Sequence, residues 1–241
     1  MPALPESLRP ATREEGYEIQ ALLENRSGAP LFGWKIAATS HHGPAHIGVD
    51  GPIAGRLLAE RAGADRAELR FGANHMRVAE PEFAFRLAHD LVPREAAYNV
   101  DEVLTAVESL HPAIEVPDSR YDDFASVGAA QLIADNACAH QFVLGPAAPE
   151  EWRSTDLIRH LVVIGVRDKI EHQGDGSNVL GDPRVALTWL VNELSGLGLA
   201  LAADQVVTTG TCTTPLPVEP RDMVTADFGP LGKASLSFSP E

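Results

Sequence analysis

The sequence predicts an α+β fold built around a mostly antiparallel or mixed, barrel-like sheet. Three observations lead there. Strand-like segments crowd the middle and the end of the chain, few helix-like segments stand between them, and the regular strand–helix alternation of a parallel α/β sheet is missing. No internal repeat, low-complexity tract or clean linker divides the 241 residues, so a single domain over 1–241 is expected, with residues 1–30 as an N-terminal helical segment.

Taken in order, residues 1–12 are Pro-rich and irregular. From Arg13 to Leu23, helical spacing puts Tyr17, Ala21 and Leu22 on one stripe with the acids off it. Phe32 to Thr39 reads as a buried strand carrying a lone lysine, Lys35, and His41 to Pro52 as a loop rich in Gly, Pro and His. Arg77 to Leu91 reads as a strand. Asp101 is expected to cap a helix whose face is Val103, Ala106, Val107 and Leu110. Pro112 to Val116 is a short strand with one buried-looking acid, Glu115, and Ser126 to His140 has spacing compatible with a helix. Phe142 to Leu144 and Leu161 to Arg167 are strands. Ile170 to Gly181 is a hairpin-like arm ending in a glycine-rich loop. Asp182 caps a helix with Pro183 at its first position, and Gly196 and Gly198 stop it. Val206 to Thr209, Met223 to Asp227 and Ala234 to Phe238 close the list of strands.

Composition narrows the function classes. A hydrophobic content of 44% supplies a sizeable core. The net charge of −15 argues against nucleic acid and anionic membranes as partners, so an anionic substrate would need a local cation, either a metal or a lysine. Two cysteines, Cys138 and Cys212, make no disulfide framework and suit a reducing cytoplasm; neither has the neighbouring histidine of a nucleophile. The N-terminus lacks the pattern of a signal peptide, and no apolar run reaches the length of a membrane span.

The chemistry concentrates in Arg77-Val78-Ala79-Glu80-Pro81-Glu82-Phe83-Ala84-Phe85. Side chains of a strand alternate faces, so Glu80 and Glu82 point one way while Phe83, Phe85 and Leu87 point into a core. Pro81 has no N–H and fits an edge or a bulge. Two readings stand: solvated acids on an exposed edge, or ligands of a divalent cation that removes their repulsion. With Glu115 as a third oxygen donor and no sulfur, the cation would be hard, Mg²⁺ or Mn²⁺; Glu115 reads equally well as a strand acid paired with an arginine. Lys35 in its apolar segment is a structural ion pair or a functional group. Asp50 sits in a glycine-bounded loop, where a solvated aspartate is the common case. The loop Gly174 to Gly181 is neither a dinucleotide fingerprint nor a P-loop, although its N–H groups, running into the helix at Pro183, suit an anion such as a carboxylate. His41, His42 and His46 match no standard zinc spacing, and no serine-hydrolase elbow is present.

Together, Gly33-Trp34-Lys35-Ile36-Ala37-Ala38-Thr39-Ser40, Ile47-Gly48-Val49-Asp50, Ala79 to Phe85, Pro112 to Arg120, Ala134-Asp135-Asn136-Ala137, Gly176 to Pro183 and Thr208-Thr209-Gly210-Thr211 resemble the fumarylacetoacetate hydrolase superfamily. Within it they are similar to the branch of 2-hydroxypentadienoate (2-keto-4-pentenoate) hydratases and 4-oxalocrotonate decarboxylases. The resemblance implies a mixed β-barrel-like sheet of that superfamily's type with flanking helices, Mg²⁺ or Mn²⁺ held by Glu80, Glu82 and Glu115, an active-site lysine at Lys35 and its acidic partner at Asp50. It places Ser177 in a loop that lines the substrate carboxylate; Thr211 is a further substrate-binding candidate, and Arg120 or another arginine is the candidate for a distal carboxylate. It implies a homo-oligomer, a small 2-oxo or 2-hydroxy dienoic acid as substrate, and hydration to a 4-hydroxy-2-oxo acid in the catabolism of aromatic compounds. Decarboxylation of a 2-oxo-3-enedioate is the rival reading, and a non-catalytic partner of a pathway aldolase or decarboxylase is a rival of another class. The resemblance has departures. Ala37 stands where the family carries glycine, narrowing backbone access, and relatives typically carry another helix before the segment matching Leu4 to Pro10, so either the start of the chain lies further upstream or that helix is absent. The His-x-x-Glu dyad of the C–C hydrolases is missing, since Pro44 follows His41 by three residues and Ala45 follows His42.

Overall fold

A computed structural model describes residues 1–40 and 48–240, so the three loop histidines lie outside the described residues. Two mixed sheets form the body. The first runs β2 (Ile53–Leu57), β1 (Gly33–Ala37), β10 (Val206–Thr211), β5 (Val78–Leu87), β6 (Val107–Val116), β7 (Gln141–Leu144) and β3 (Ala62–Ala64), with β11 (Leu216–Pro217) added to the start of β5. It curls without closing, because β2 and β3 are its two ends. The second runs β4 (Ala67–Leu69), β13 (Lys233–Phe238), β12 (Met223–Asp227), β8 (Leu161–Val166) and β9 (Ile170–Asp175). Pairing is antiparallel except for β1–β10, β3–β7 and β4–β13.

Period two explains the layering. Phe83, Phe85 and Leu87 are fully buried on one face of β5, where Phe83 meets Phe228 edge-to-face at 5.0 Å and Phe85 meets Trp152 at 5.8 Å. The opposite face of β5 is buried too, which departs from the solvated-edge reading. β5 is central, flanked by β10 and β6, and Pro81 is tolerated there because the irregularity lies in its neighbour: the β10–β5 register slips between Thr208 and Thr211.

Four α-helices flank the sheets among the described residues: α1 (Arg13–Ala21), α2 (Val100–Thr105), α3 (Ala129–Ala134) and α4 (Pro183–Gly196). Asp182 caps α4 as expected, its side chain accepting from the Arg184 N–H. Two expected helices are shorter than read. The cap of α2 is Asn99 rather than Asp101, in a reciprocal capping box with Glu102, and Val107 and Leu110 belong to β6. After α3 the chain breaks into a tight turn, because Asn136, Ala137 and Cys138 all have positive φ. In denaturant unfolding, Asn99→Ala is expected to lower stability by about 1 kcal/mol, the worth of a lost cap, and Asp101→Ala by only about 0.3 kcal/mol, the worth of a first-turn acid; equal losses would refute the assignment.

Candidate metal centre and active site

Strand register brings the site together. Lys35 of β1 lies opposite Thr208 of β10, Thr208 opposite Ala84 of β5, and Glu80 of β5 directly opposite Glu115 of β6. Counting in twos along β5, Lys35, Thr208, Glu82, Glu80 and Glu115 therefore share one face. Leu57, Ala84, Ala113, Phe142 and Val206 form a buried apolar cluster on the same face.

The three glutamates each offer an oxygen within 4.8 Å of the others. Glu82 and Glu115 are fully buried and Glu80 half-buried. Lys35 is buried as well, with Nζ 3.1 Å from Glu115 Oε2 and donating to the Ala137 carbonyl at 3.2 Å. Glu82 Oε2 accepts from the Gly210 N–H at 2.8 Å. The bulge in β10 makes that bond: Gly210 adopts φ +100°, and a Cβ there would lie 1.9 Å from Thr39 Oγ1, so glycine alone fits. Glu82 Oε1, both carboxylate oxygens of Glu115 and the Thr208 hydroxyl are buried without hydrogen-bond partners, Glu115 Oε2 having only its ion pair with Lys35. Orphaned buried carboxylate oxygens, all hard donors, fit a cation of the Mg²⁺ type.

Electrostatics follow from burial. Desolvation, then the charge of Glu115, pushes Glu80 up to about 7 against the pull of Lys35. Glu82 is raised well above its ordinary range by burial and by Glu115 and Glu80, and Glu115 is raised by burial against the opposing Lys35. Burial works to lower the Lys35 ammonium, but Glu115, Glu80 and Glu82 outweigh it, so the lysine is held cationic. Burial raises the thiol of Cys138 to about 12 and that of Cys212 well above its usual value, which disfavours the thiolate of both.

The remaining sequence candidates are spread more widely. Asp50 is 78% exposed and bonded to Arg13 at 2.9 Å, so the structure does not bring it to the cluster. Arg120 is ion-paired with Asp135. Ser177 is exposed and donates to Asp175, but its loop reaches the site side of the fold: Leu180 N–H donates to the Thr39 carbonyl and Asn178 to that of Cys212. Thr211 pairs with Glu82 across the strands and bonds the Thr213 carbonyl. Thr208 and the Ala137 carbonyl are additions that sequence reasoning missed. Only the register of β10 and the backbone of the turn reveal them.

The chain matches no family model. It is 30% identical over 232 residues to 2-keto-4-pentenoate hydratase 1 of Dechloromonas aromatica, an alignment covering 95% of this chain and 87% of that one. Against a 4-oxalocrotonate decarboxylase of a Pseudomonas species the identity is 33%, with the same coverage. The solved 4-oxalocrotonate decarboxylase of Pseudomonas putida G7, complexed with magnesium and adipate, superposes with a TM-score of 0.85 at 28% identity, over 94% of this chain and 86% of that one.

Raised carboxylate pKa values set a sign. An acid whose folded pKa lies above its unfolded value near 4.5 stabilises the fold below that value, and the contribution is lost as pH rises through the folded pKa, about 7 for Glu80. Chelator-treated protein is expected to lose on the order of 1–3 kcal/mol more than Glu80→Gln between about pH 5 and about pH 8. Mg²⁺ is expected to restore the loss. A pH response identical in the two proteins would contradict the cluster's electrostatics.

Proposed function

From the premise that the chain belongs to the family of 2-keto-4-pentenoate hydratases and 4-oxalocrotonate decarboxylases, a branch of the fumarylacetoacetate hydrolase superfamily, we propose that it is a metal-dependent hydro-lyase that converts a 2-hydroxy-2,4-dienoate to a 4-hydroxy-2-oxo acid. The observation that carries this reading is the buried triad of Glu80, Glu82 and Glu115 with Lys35 ion-paired against it. Glu80, Glu82 and Glu115 would hold Mg²⁺ or Mn²⁺. Bound there, the ion supplies Lewis-acid charge toward the carboxylate and 2-oxygen of the substrate.

The reaction needs a proton removed from the 2-hydroxyl and one delivered at C5, then hydroxide added at C4 and a proton at C3. Lys35, buried on the same face as the triad with its ammonium against Glu115, is our proton donor. It is buried, 3% exposed, on a face that also carries an apolar cluster, and low exposure strengthens its field at the substrate. The Thr208 hydroxyl, buried on the same face, offers a donor to a substrate or water oxygen. Asp50 is our candidate for water activation on the strength of the motif it shares with the family, and its action requires release from Arg13. Ser177 and Thr211, on segments beside the site, are assigned to substrate binding on the same ground.

Decarboxylation of a dicarboxylate is the rival reading: it would need a cation for the distal carboxylate, Arg120 or another arginine, and the Nε of Arg120 is paired with Asp135, which also accepts from Ser119 at 2.7 Å. The chain is proposed to act in the cytoplasm as a homo-oligomer and to associate with the aldolase or decarboxylase of its pathway. The acidity of the chain supports the absence of nucleic-acid and membrane partners, and among the described residues no helix is long and apolar enough to cross a membrane.

With Mg²⁺ and fresh 2-hydroxypenta-2,4-dienoate, loss of the dienol absorbance with 4-hydroxy-2-oxopentanoate identified by NMR is expected. The six-carbon analogue with a second carboxylate is expected to react at least about tenfold more slowly in kcat/KM. Preference for the dicarboxylate, with carbon dioxide released, would overturn the hydratase reading. Glu82→Gln is expected to cut turnover by about 100-fold or more with the fold intact. Full activity in that variant would remove the triad from the mechanism.

A further inference from the structure

The turn after α3 places Asn136 (φ +62°), Ala137 (φ +50°) and Cys138 (φ +63°) consecutively in the left-handed region. Asparagine tolerates that conformation; alanine and cysteine hold it only where their surroundings enforce it. Here the surroundings are explicit. Asn136 is buried, and its side-chain amide spans both main-chain groups of Arg56, accepting from the N–H at 2.7 Å and donating to the carbonyl at 2.9 Å. Arg56 lies on β2, the terminal strand of the first sheet, so the amide takes the place of a missing neighbouring strand. Arg56 is itself fixed, with its guanidinium 4.5 Å above the Trp34 ring and bonded to Gln20 and Glu24. The turn then packs directly on β2: a Cβ at Gly55 would lie 2.4 Å from the Asn136 carbonyl and 3.1 Å from Cγ of Lys35. From the far side, Asp118 N–H bonds the Cys138 carbonyl at 3.0 Å.

This locked turn faces the Ala137 carbonyl to Lys35 Nζ at 3.2 Å, while Glu115 takes the ammonium at 3.1 Å from another strand. We propose that Asn136 is a positioning residue for the reaction: by fastening the turn to Arg56 it fixes the Ala137 carbonyl, and the carbonyl fixes the Lys35 ammonium. One ammonium proton is then committed to the Ala137 carbonyl and the charge is held against Glu115, which leaves the ammonium in one orientation with donor capacity for the substrate. The inference rests on the hydratase reading for its catalytic meaning, but its geometric content does not.

The chain has three lysines, Lys35, Lys169 and Lys233, so a ¹⁵Nζ-lysine NMR spectrum resolves the group directly. Asn136→Gly keeps the left-handed backbone free of strain and removes only the amide. In the folded variant, the Lys35 ammonium signal is expected to shift or broaden into exchange, with Lys169 and Lys233 unmoved. Turnover is expected to fall about 10- to 100-fold with KM and Mg²⁺ affinity within about twofold. An unchanged Lys35 signal together with unchanged kcat would overturn the proposal, and so would a loss confined to KM or metal affinity. If Asn136→Gly does not fold, Asn136→Asp, which keeps the acceptor and loses the donor to Arg56, is read the same way. A Lys35 signal that moves in a protein inactive on dienoates even as wild type would sustain the positioning and overturn the hydratase reading instead.

Discussion

Three carboxylates and one ammonium share one buried sheet face, and the rest of the structure is arranged around the cost of that grouping. Fully ionised, Glu80, Glu82, Glu115 and Lys35 sum to a charge of −2 beside an apolar cluster on the same face. Water screens the buried charges of Glu82, Glu115 and Lys35 only weakly, and an uncompensated buried carboxylate costs several kcal/mol. Two compensations are open: proton uptake, which the raised carboxylate pKa values express, or a divalent cation, which makes the sum zero. The orphaned oxygens of Glu82 and Glu115 point to the second.

Ordinary sheet rules hold this costly face in place. The β5–β6 pair is long and antiparallel, which sets Glu80 across from Glu115. The bulge in β10 turns one amide from strand pairing to Glu82. On the reverse side, Phe83, Phe85 and Leu87 anchor β5 into the main core with Phe228 and Trp152. Side-chain alternation thus makes one strand both the core of the fold and the wall of the site, and a one-residue slip would exchange the two.

Much of this was legible in the residues. The Glu-x-Glu step against alternating phenylalanines gave the strand, its two faces and two members of the triad, while Lys35 and Glu115 stood out as lone charges in apolar strands. The resemblance joined them into one centre, and the structure brings the three glutamates within 4.8 Å of one another with Lys35 paired to Glu115. Other features were hidden for physical reasons. Val103, Ala106, Val107 and Leu110 have helical spacing, yet the last two pair in β6, because a short apolar run fits either period until its neighbours decide. The strand Ile53–Leu57 carries Gly55 and Arg56 inside it and lacks a strand's composition; only packing against Asn136 and Trp34 explains both residues. Thr208 and the Ala137 carbonyl depend on register and on left-handed backbone at non-glycine residues, which no local pattern announces. Asp50 shows the opposite case, a motif residue whose side chain is bonded to Arg13 at the surface.

The most direct test of the central claim is anomalous scattering from crystals grown with Mn²⁺. A peak within coordination distance of Glu80, Glu82 and Glu115 together, with Lys35 still paired to Glu115, is the predicted result. A catalytically active crystal with no peak among the three carboxylates would contradict it, because the face would then be neutralised by protons alone.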